Sequence, residues 1–257
     1  MTMLHNNKVN LIAEISGNHG GSIETAKRLI KEAHICGADF VKLQAYTPDT
    51  ITLNAKTDDF MTEWRGKRVS LYELYKSAHT PFDWFPELFA FAKAENIQLF
   101  ASVFDPSSVD MLEDLGCPMY KIASFEITDL PLIEYTASTG KPIIISTGMA
   151  SLHEIRNAIS ACIRAHNFKF SLLHCNSAYP AKPLSAVLKC IPELYRIFTC
   201  PIGLSDHTTT NTTAIAAVAL GATIVEKHVT LDPKGDGPDD HFSITPEELM
   251  ELGQQLT

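Results

Sequence analysis

Two histidines occupy equivalent places in this chain, each at the end of a short apolar run. Residues 200–207 read CPIGLSDH and residues 222–228 read ATIVEKH, so His207 and His228 both follow what looks like a buried strand. Two neutral imidazoles at the ends of neighbouring strands can bind one divalent cation. The pattern therefore predicts a metal site, with ordinary hydrogen-bonded histidines as the alternative.

Polar and charged residues also follow the other apolar runs of the chain. Charged side chains are rarely buried without partners, so their repeated position at strand ends indicates a functional site there. The residues at these ends are Glu14, Ser16, Lys42, Gln44, Asp105, Lys121, Ser124, Glu126, Ser146, Thr147, His174, Asn176, Ser205, Asp206, Glu226 and Lys227.

The residue types at the strand ends predict the chemistry in part. Lys42 and Lys121 can hold an anion together, and Ser124, Ser146 and Ser205 add neutral donors that suit phosphate oxygens. Carboxylates form a second group of residues at the strand ends, and they can act as acids, as bases or as hydrogen-bond partners of the imidazoles. The candidates are Glu14, Glu126, Asp206 and Glu226. The pattern indicates phosphate, a divalent metal and acid–base carboxylates.

The elements that must position these residues alternate regularly. A strand over 9–16, a helix from Ser22 to Gly37 and a strand over 40–44 form a βαβ unit. The segment 45–80 is a long interruption, which is typical of a functional loop. Further strands are predicted over 98–104, 119–124, 141–147, 170–175, 201–206 and 223–229. Further helices are predicted over 71–77, 86–94, 108–115, 131–138, 151–166, 183–198 (broken by Pro192), 211–220 and 246–256. Gly116, Gly140 and Gly221 are predicted helix C-caps.

Eight strands, each followed by a helix, predict an α/β fold of the (β/α)8 TIM barrel type over residues 1–257. An open doubly wound sheet is the alternative, but no glycine-rich phosphate fingerprint follows the first strand. No composition break predicts a linker, so we expect a single domain.

Charge and composition exclude several classes of protein. The net charge is -9 and no basic run is present, which argues against a nucleic-acid partner. Six scattered cysteines without a CxxC pair are typical of reduced thiols in a cytosolic protein. No apolar stretch reaches membrane-spanning length, so we expect a cytoplasmic protein with no membrane partner.

Several segments, taken together, resemble the sialic acid synthase family, in the family's order and spacing along almost the whole chain. They are AEISGNHGGS (13–22), VKLQ (41–44), YKIASFE (120–126), ISTGM (145–149), GLSDHT (203–208) and EKH (226–228). Other segments are most similar to the pseudaminic acid synthase branch of that family. These are YTPDT (46–50), LYELY (71–75), TPFDW (80–84) and ASFEI (123–127).

The resemblance implies a transferase that forms a carbon–carbon bond in carbohydrate biosynthesis. The family condenses phosphoenolpyruvate with an open-chain 2-acetamido sugar, giving phosphate and a nine-carbon 2-keto sugar acid of the kind found in cell-surface glycans. For the pseudaminic acid branch the sugar is a 2,4-diacetamido-2,4,6-trideoxy-altrose. The resemblance also implies a divalent cation, manganese or magnesium, held by His207 and His228.

The resemblance also implies roles for most of the candidate residues. The expected contacts to phosphoenolpyruvate are Lys42, Lys121, Ser124, Ser146 and Ser205. The residues expected to face the sugar are Glu14, Gln44, Tyr179 and Asp239. We take Glu126, Lys121 and Asp206 as the catalytic candidates. Many sialic acid synthases have Asn where this chain has Ser177, so Ser177 or Asn176 is expected to take over that polar contact.

The family usually continues into a small antifreeze-like C-terminal domain, which reaches across a dimer and supplies an arginine to the partner's sugar site. From the resemblance we expect a homodimer. This sequence ends at Thr257, after the last predicted barrel helix, so it is expected to be either a fragment or a natural short form without that domain. The alternatives are an N-acetylneuraminate or legionaminate synthase, a truncated barrel that binds phosphoenolpyruvate or metal without turnover, and a class II metal-dependent aldolase.

Overall fold

A computed structural model describes residues 8–256, and in this range eight parallel strands close into a barrel. In chain order the strands are β1 (Asn10–Glu14), β2 (Phe40–Ala45), β3 (Met61–Trp64), β4 (Lys67–Ser70), β5 (Leu99–Val103), β6 (Tyr120–Ile122), β7 (Ile143–Ser146), β8 (Phe170–Cys175), β9 (Ile202–Asp206) and β10 (Ile224–His228). Around the barrel the order is β1, β2, β5, β6, β7, β8, β9 and β10, and β10 pairs with β1. The predicted (β/α)8 barrel is confirmed.

Each barrel strand is followed by at least one helix before the next barrel strand. The helices are α1 (Ile23–Ile35), α2 (Pro48–Ile51), α3 (Leu71–Ala78), α4 (Phe85–Ala94), α5 (Pro106–Asp114), α6 (Leu130–Ser138), α7 (Leu152–Arg164), α8 (Cys190–Phe198), α9 (Thr212–Ala219) and α10 (Pro246–Gln255). The hydroxyl of Ser22 caps α1 by accepting the N–H of Thr25, as predicted. Gly116, Gly140 and Gly221 have positive φ just after α5, α6 and α9, which confirms the predicted C-caps.

The segment predicted as a long functional loop contains a β-hairpin, which the sequence analysis did not identify. Strands β3 and β4 pair antiparallel, with Trp64 opposite Lys67. Arg65 and Gly66 form the two-residue turn, and both have positive φ. Arg-Gly is not one of the usual signals for this turn, which explains why the hairpin was missed. At its tip Arg65 Nε donates to the carbonyl of Asp236, 3.1 Å away, so the hairpin reaches the loop after β10.

The predicted helix over residues 183–198 is shorter than expected. Only a single 3-10 turn forms at Pro183–Ser185, and α8 begins at Cys190. Pro192 lies in the first turn of α8, where a backbone N–H has no partner within the helix and its absence costs little. The proline therefore lies near the start of this helix and does not interrupt it.

The core lies on both sides of the barrel wall. Ile143, Ile144 and Ile145 of β7 are all fully buried, because alternate side chains face the barrel interior and the surrounding helices. This explains why barrel strands appear in the sequence as continuous apolar runs. No helix within the described range is long and apolar enough to cross a membrane.

Close packing inside the barrel requires glycine at one strand position. A Cβ on Gly203 of β9 would lie 2.4 Å from the carbonyl oxygen of Ile224 and 2.6 Å from Leu173 Cδ2. Gly253 in α10 differs, because its added Cβ would meet nothing closer than 3.6 Å. The same substitution should therefore have opposite effects at the two positions.

We predict that Gly203→Ala lowers the free energy of unfolding by about 1–3 kcal/mol, because overpacking forces the barrel wall apart. The control Gly253→Ala should raise it by about 0.5–1 kcal/mol, since alanine restricts the unfolded chain and favours the helix. Urea unfolding measures both. A Gly203→Ala variant as stable as the unsubstituted protein would contradict the predicted clash.

Candidate active site

The barrel brings most of the predicted residues together at the C-terminal ends of its strands. Strand register places Glu14 of β1 between Lys42 of β2 and His228 of β10. On the adjoining pair of strands, Glu226 of β10 lies beside Ser205 of β9. The C-terminal end of the strands is where barrel enzymes carry their sites.

Glu226 bridges two buried lysines at this end of the barrel. Lys42 Nζ lies 2.9 Å from Glu226 Oε2 and 2.9 Å from Glu14 Oε2. Lys121 Nζ donates to Glu226 Oε1 over 3.1 Å, and Ser205 Oγ donates to the same oxygen over 2.9 Å. We call Glu14, Lys42, Lys121 and Glu226 the lysine–carboxylate network. Its four side chains are at most 4% exposed, and its two positive and two negative charges balance.

The network sets the protonation of its members. Burial opposes the charge of Glu226, but Lys121 and Lys42 together hold the pKa of this carboxyl far below its ordinary value. Burial also opposes the charge of Lys42, yet Glu14 and Glu226 raise its pKa. Lys121 differs, because burial lowers its pKa and the neighbouring charge of Lys42 adds to that effect. Lys121 is therefore the amine of the network that loses a proton more readily.

Three serines and one backbone amide converge beside the network. Ser124 Oγ accepts the N–H of Gly148 over 3.1 Å. A Cβ on Gly148 would lie 2.8 Å from Ser124 Oγ and 2.3 Å from Ser177 Oγ, so the loops after β6, β7 and β8 meet at this glycine. Ser146 Oγ is buried and has no hydrogen-bond partner in the part of the chain that the structure describes. A buried hydroxyl without a hydrogen-bond partner lowers the free energy of unfolding, so its presence indicates a polar ligand at this position.

The imidazole rings of His207 and His228 lie next to each other, edge to face, and each has a ring nitrogen available to a ligand. Their ring centroids are 5.3 Å apart. His207 Nδ1 lies 2.8 Å from the carbonyl of Asn176, and because a carbonyl only accepts, Nδ1 carries a proton and Nε2 is the nitrogen left for a ligand. Burial lowers the pKa of His207, but the Cys175 thiol and this carbonyl outweigh it and raise that pKa. Burial, together with His207 and Lys42, lowers the pKa of His228 well below its usual range, so this ring is neutral. His228 Nδ1 is buried without a hydrogen-bond partner and lies 3.5 Å from Asp239 Oδ2.

These residues fit a divalent cation held by two histidines, with other positions open to water or substrate. Neutral imidazoles are the form that binds metal, and an unpaired buried nitrogen on His228 is consistent with a missing partner. Among residues 8–256, no group of three or more His, Cys, Asp and Glu side chains is arranged to hold an ion. The set therefore fits an open site and not a closed structural one.

Aromatic rings enclose the imidazole pair. The ring of Tyr179 lies 4.3 Å from that of His207, centroid to centroid. Phe242 packs 4.9 Å from His228 and 5.3 Å from Tyr179 and is only 2% exposed. Phe242 was not among the predicted site residues. The available signal was its position, as an aromatic residue directly after the polar loop over residues 232–241.

Within that polar loop, two neighbouring aspartates have different roles. Asp240 organises the loop itself, because its carboxylate accepts from Thr230 Oγ1 and from the N–H of Gly237. Asp239 instead points into the site, where its carboxylate accepts the hydroxyl of Ser16. The two side chains therefore differ in their contacts, and the role of Asp239 in facing the sugar stays a prediction.

Glu126 lies in a 3-10 turn after β6, at Ser124–Glu126. Burial raises its pKa from 4.5 to about 7, with Lys121 opposing the shift. Its Oε2 atom is buried and lacks a hydrogen-bond partner within the described range. A carboxyl with a pKa near neutral suits general acid–base catalysis.

Asp206 is not brought together with the other candidates. Neighbouring residues on a strand face opposite sides, and while Ser205 faces the network, Asp206 is paired with Lys227 over 2.8 Å. Lys227 Nζ also donates to the carbonyl of Thr208 over 2.6 Å, so the pair braces the backbone around His207. Asp206 therefore lies outside the lysine–carboxylate network that contains Lys121, and its carboxylate is already occupied by Lys227.

Gln44 lies two residues after Lys42 on β2 and so shares its side of the strand. It is half-buried and makes no side-chain hydrogen bond within residues 8–256. Its position allows contact with a ligand at the barrel mouth but does not by itself assign one.

Comparison with known proteins gives a consistent result. A model of the NeuB family matches residues 29–257. A pseudaminic acid synthase from Helicobacter pylori is 46% identical over 91% of this chain and 69% of its own length. An N,N'-diacetyllegionaminic acid synthase from Campylobacter jejuni is 38% identical over 97% of this chain and 75% of its own. The crystal structure of an N-acetylneuraminic acid (sialic acid) synthetase from Leptospira borgpetersenii superposes with a TM-score of 0.88 and 35% identity, over 97% of this chain and 83% of that one.

The raised pKa of Glu126 predicts a pH-dependent cost to stability. Between pH 4.5 and about 7 the native protein keeps a proton that the unfolded chain releases, so stability from this group falls as the pH rises through that window. Across this pH window, the free energy of unfolding of the unsubstituted protein should fall by up to about 3 kcal/mol relative to that of Glu126→Gln. One pKa unit corresponds to about 1.4 kcal/mol.

Urea unfolding at several pH values measures this difference. Glu251→Gln removes a carboxylate from the exposed side of α10 and controls for the change in net charge. If the difference between the Glu126→Gln variant and the unsubstituted protein stays constant from pH 4.5 to 7, Glu126 does not have the raised pKa.

Proposed function

The chain belongs to the NeuB family, and on that premise we propose that it condenses phosphoenolpyruvate with an open-chain acetamido sugar. The products are phosphate and a nine-carbon 2-keto sugar acid. The observation that carries this proposal is the lysine–carboxylate network at the same strand ends as an unpaired serine hydroxyl and a pair of adjacent imidazoles. The condensation needs an anion site, a cation site and an acid–base group at one surface, and these residues can supply all three.

The anion site suits phosphoenolpyruvate. Lys42 and Lys121 share one carboxylate, so their ammonium groups lie close enough to contact a single phosphate. Ser124, Ser146 and Ser205 supply hydroxyls at the same strand ends, and Ser146 Oγ has no partner among residues 8–256. Ligand oxygens would satisfy that hydroxyl.

The sugar would occupy the opposite side of the site. Glu14 and Asp239 offer carboxylate oxygens to sugar hydroxyls, and Tyr179 offers a ring that is 43% exposed. Ser177 touches Gly148 and so lies at the boundary with the phosphate side, while Gln44 faces the barrel mouth from β2. This division puts the two substrates face to face, which supplies much of the rate in a two-substrate reaction.

His207 and His228 would hold the divalent cation, Mn²⁺ or Mg²⁺. When bound, the cation would polarise the sugar aldehyde oxygen and orient a water. The chain's own contribution is to fix both rings: the Asn176 carbonyl holds His207, and Phe242 packs against His228. A fixed pair of ligands lowers the cost of ordering the site when substrate arrives.

Glu126 and Lys121 are the residues suited to move protons. The condensation forms a bond between the methylene carbon C3 of phosphoenolpyruvate and the aldehyde carbon, and the aldehyde oxygen gains a proton. Water adds to C2, the carbon that bears the phosphate, and loses a proton; the C2–O bond to phosphate then breaks, leaving the 2-keto group. With its pKa near 7, Glu126 can take a proton from that water or give one to the oxygen. Lys121 stabilises negative charge on the phosphate and lies within electrostatic reach of Glu126.

A pseudaminic acid synthase is the specific activity we propose, because the Helicobacter pylori relative is the more similar of the two synthases compared. Its sugar would be the 2,4-diacetamido-2,4,6-trideoxy-altrose. Legionaminate and N-acetylneuraminate synthase are the second candidate, supported by the legionaminic acid relative and the sialic acid synthetase structure. We also propose that the protein works in the cytoplasm and that it is a homodimer. The six unpaired cysteines support the cytoplasmic location.

Phosphate release tests the proposed function directly. With phosphoenolpyruvate, Mn²⁺ and the altrose-derived sugar, we expect phosphate at a rate at least about tenfold above that with N-acetylmannosamine, because a site built for a second acetamido group loses those contacts with the simpler sugar. Release with N-acetylmannosamine alone would favour the sialic acid alternative. No release with either sugar, in a protein that still binds phosphoenolpyruvate by calorimetry, would favour a binding barrel without turnover.

Removal of one imidazole tests the metal site independently of activity. His207→Ala should weaken Mn²⁺ binding by more than about tenfold, measured by calorimetry, because half of the proposed protein ligands are lost. His153→Ala removes an exposed histidine of α7 and is the matched control, with unchanged binding expected. Equal Mn²⁺ affinity in the two variants would remove His207 as a ligand.

A further inference from the structure

Ser16, directly after β1, touches both halves of the candidate site. Its backbone N–H donates to Glu14 Oε1 over 2.6 Å, and Glu14 is part of the lysine–carboxylate network. Its hydroxyl donates to Asp239 Oδ2 in the loop after β10. Within residues 8–256 this hydroxyl is the sole hydrogen-bond donor to the Asp239 carboxylate. One residue therefore links the network to the sugar side.

The backbone of Ser16 has an unusual conformation for its type. Its φ is +45°, in the left-handed region that non-glycine residues seldom adopt, and the residue is 5% exposed. The strand ladder continues up to the residue before it, where Ile15 N donates to the carbonyl of Lys42. Such conformations persist where the surroundings hold them, and they concentrate at functional sites. Here the left-handed residue orients an N–H and a hydroxyl toward two different carboxylates.

Neighbouring contacts hold the backbone on both sides of the hydrogen bond between Ser16 and Asp239. Beside Ser16, a Cβ on Gly17 would lie 2.9 Å from the carbonyl of Ala78, so the backbone of this loop packs closely against the end of α3. Asn18 Nδ2 donates to Ser243 Oγ over 2.9 Å, and Ser243 Oγ donates to the Asp239 carbonyl over 2.7 Å. The backbone at Asp239 is therefore held by bonds that do not involve the Ser16 hydroxyl.

We propose that Ser16 is a positioning residue that orients the Asp239 carboxylate for the sugar, an inference that rests on the function proposed above. Loss of its hydroxyl frees the Asp239 side chain while the backbone of the loop stays in place. The Glu14 contact uses the N–H of Ser16, which alanine retains. Ser16→Ala should therefore weaken the sugar contact and leave the phosphoenolpyruvate side intact.

The test is steady-state phosphate release with each substrate varied in turn. For Ser16→Ala we expect the sugar KM to rise about tenfold, as for loss of a hydrogen bond to a charged group, with the phosphoenolpyruvate KM within about twofold of the unsubstituted value. Ser22→Ala removes a hydroxyl from the same loop, where it caps α1, and is the matched control. It should lower the Tm and leave both KM values unchanged.

A double-mutant cycle with Asp239→Asn distinguishes positioning from general loop stability. If Ser16 acts through Asp239, adding Ser16→Ala to Asp239→Asn should change the sugar KM by less than about twofold. Ser16→Gly, which also lacks the hydroxyl but accepts positive φ freely, should reproduce the sugar effect if Ser16→Ala folds poorly.

Several outcomes would overturn the inference. These are an unchanged sugar KM in both Ser16 variants, a parallel rise of both KM values, and full additivity with Asp239→Asn. Each of them presupposes active unsubstituted protein. An unsubstituted protein that releases no phosphate with any sugar would instead overturn the proposed function, and the sugar-directed role of Ser16 with it.

Discussion

The ion pairs of Glu226 are the interaction on which the rest of the site depends. A lysine buried in a barrel is unstable as a cation unless a carboxylate lies within contact distance. Glu226 gives one oxygen to Lys42 and the other to Lys121, which come from strands that are not neighbours of β10. The barrel must therefore close in one register for the charges to be satisfied. The same charges that require this register are the ones suited to hold an anionic substrate.

Around this network, two side chains are held by backbone carbonyls that follow neighbouring strands. The Asn176 carbonyl orients His207, and the Thr208 carbonyl receives Lys227 from the neighbouring strand. Such contacts tie each strand end to the loop of the next one. This arrangement explains how eight loops of different length present their side chains to one small region.

Much of the fold could be predicted from the sequence, because its determinants are local. Continuous apolar runs identify strands such as β8, which matches its predicted bounds of residues 170–175. The polar residues just after these runs identify Lys42 and His228, since the C-terminal ends of barrel strands meet at one surface. Local pattern cannot give the partner of a side chain, however. Asp206 looked equivalent to its neighbours but pairs with Lys227 on the other side of the strand.

The features that were missed depend on distant contacts or on backbone conformation. The turn at Arg65 and Gly66 has no strong sequence signal, and its tip is held by a carbonyl 171 residues away. Phe242 belongs to the site because the loop after β10 folds back over His228. The role of Ser16 likewise depends on positive φ, which serine seldom adopts and which sequence pattern does not indicate.

The pairing of β1 with β10 has a consequence for how the protein is made. Glu14 lies on the first strand of the barrel and His228 on the last, and they are register partners. During synthesis the ribosome releases β1 long before β10, so a growing chain has both sheet edges unpaired and holds three of the four network residues, without Glu226. The imidazole pair and the bridge from Glu226 to the two lysines are both incomplete until β10 has emerged. The complete site therefore forms only with the long-range step of barrel closure, which joins the first strand of the barrel to the last.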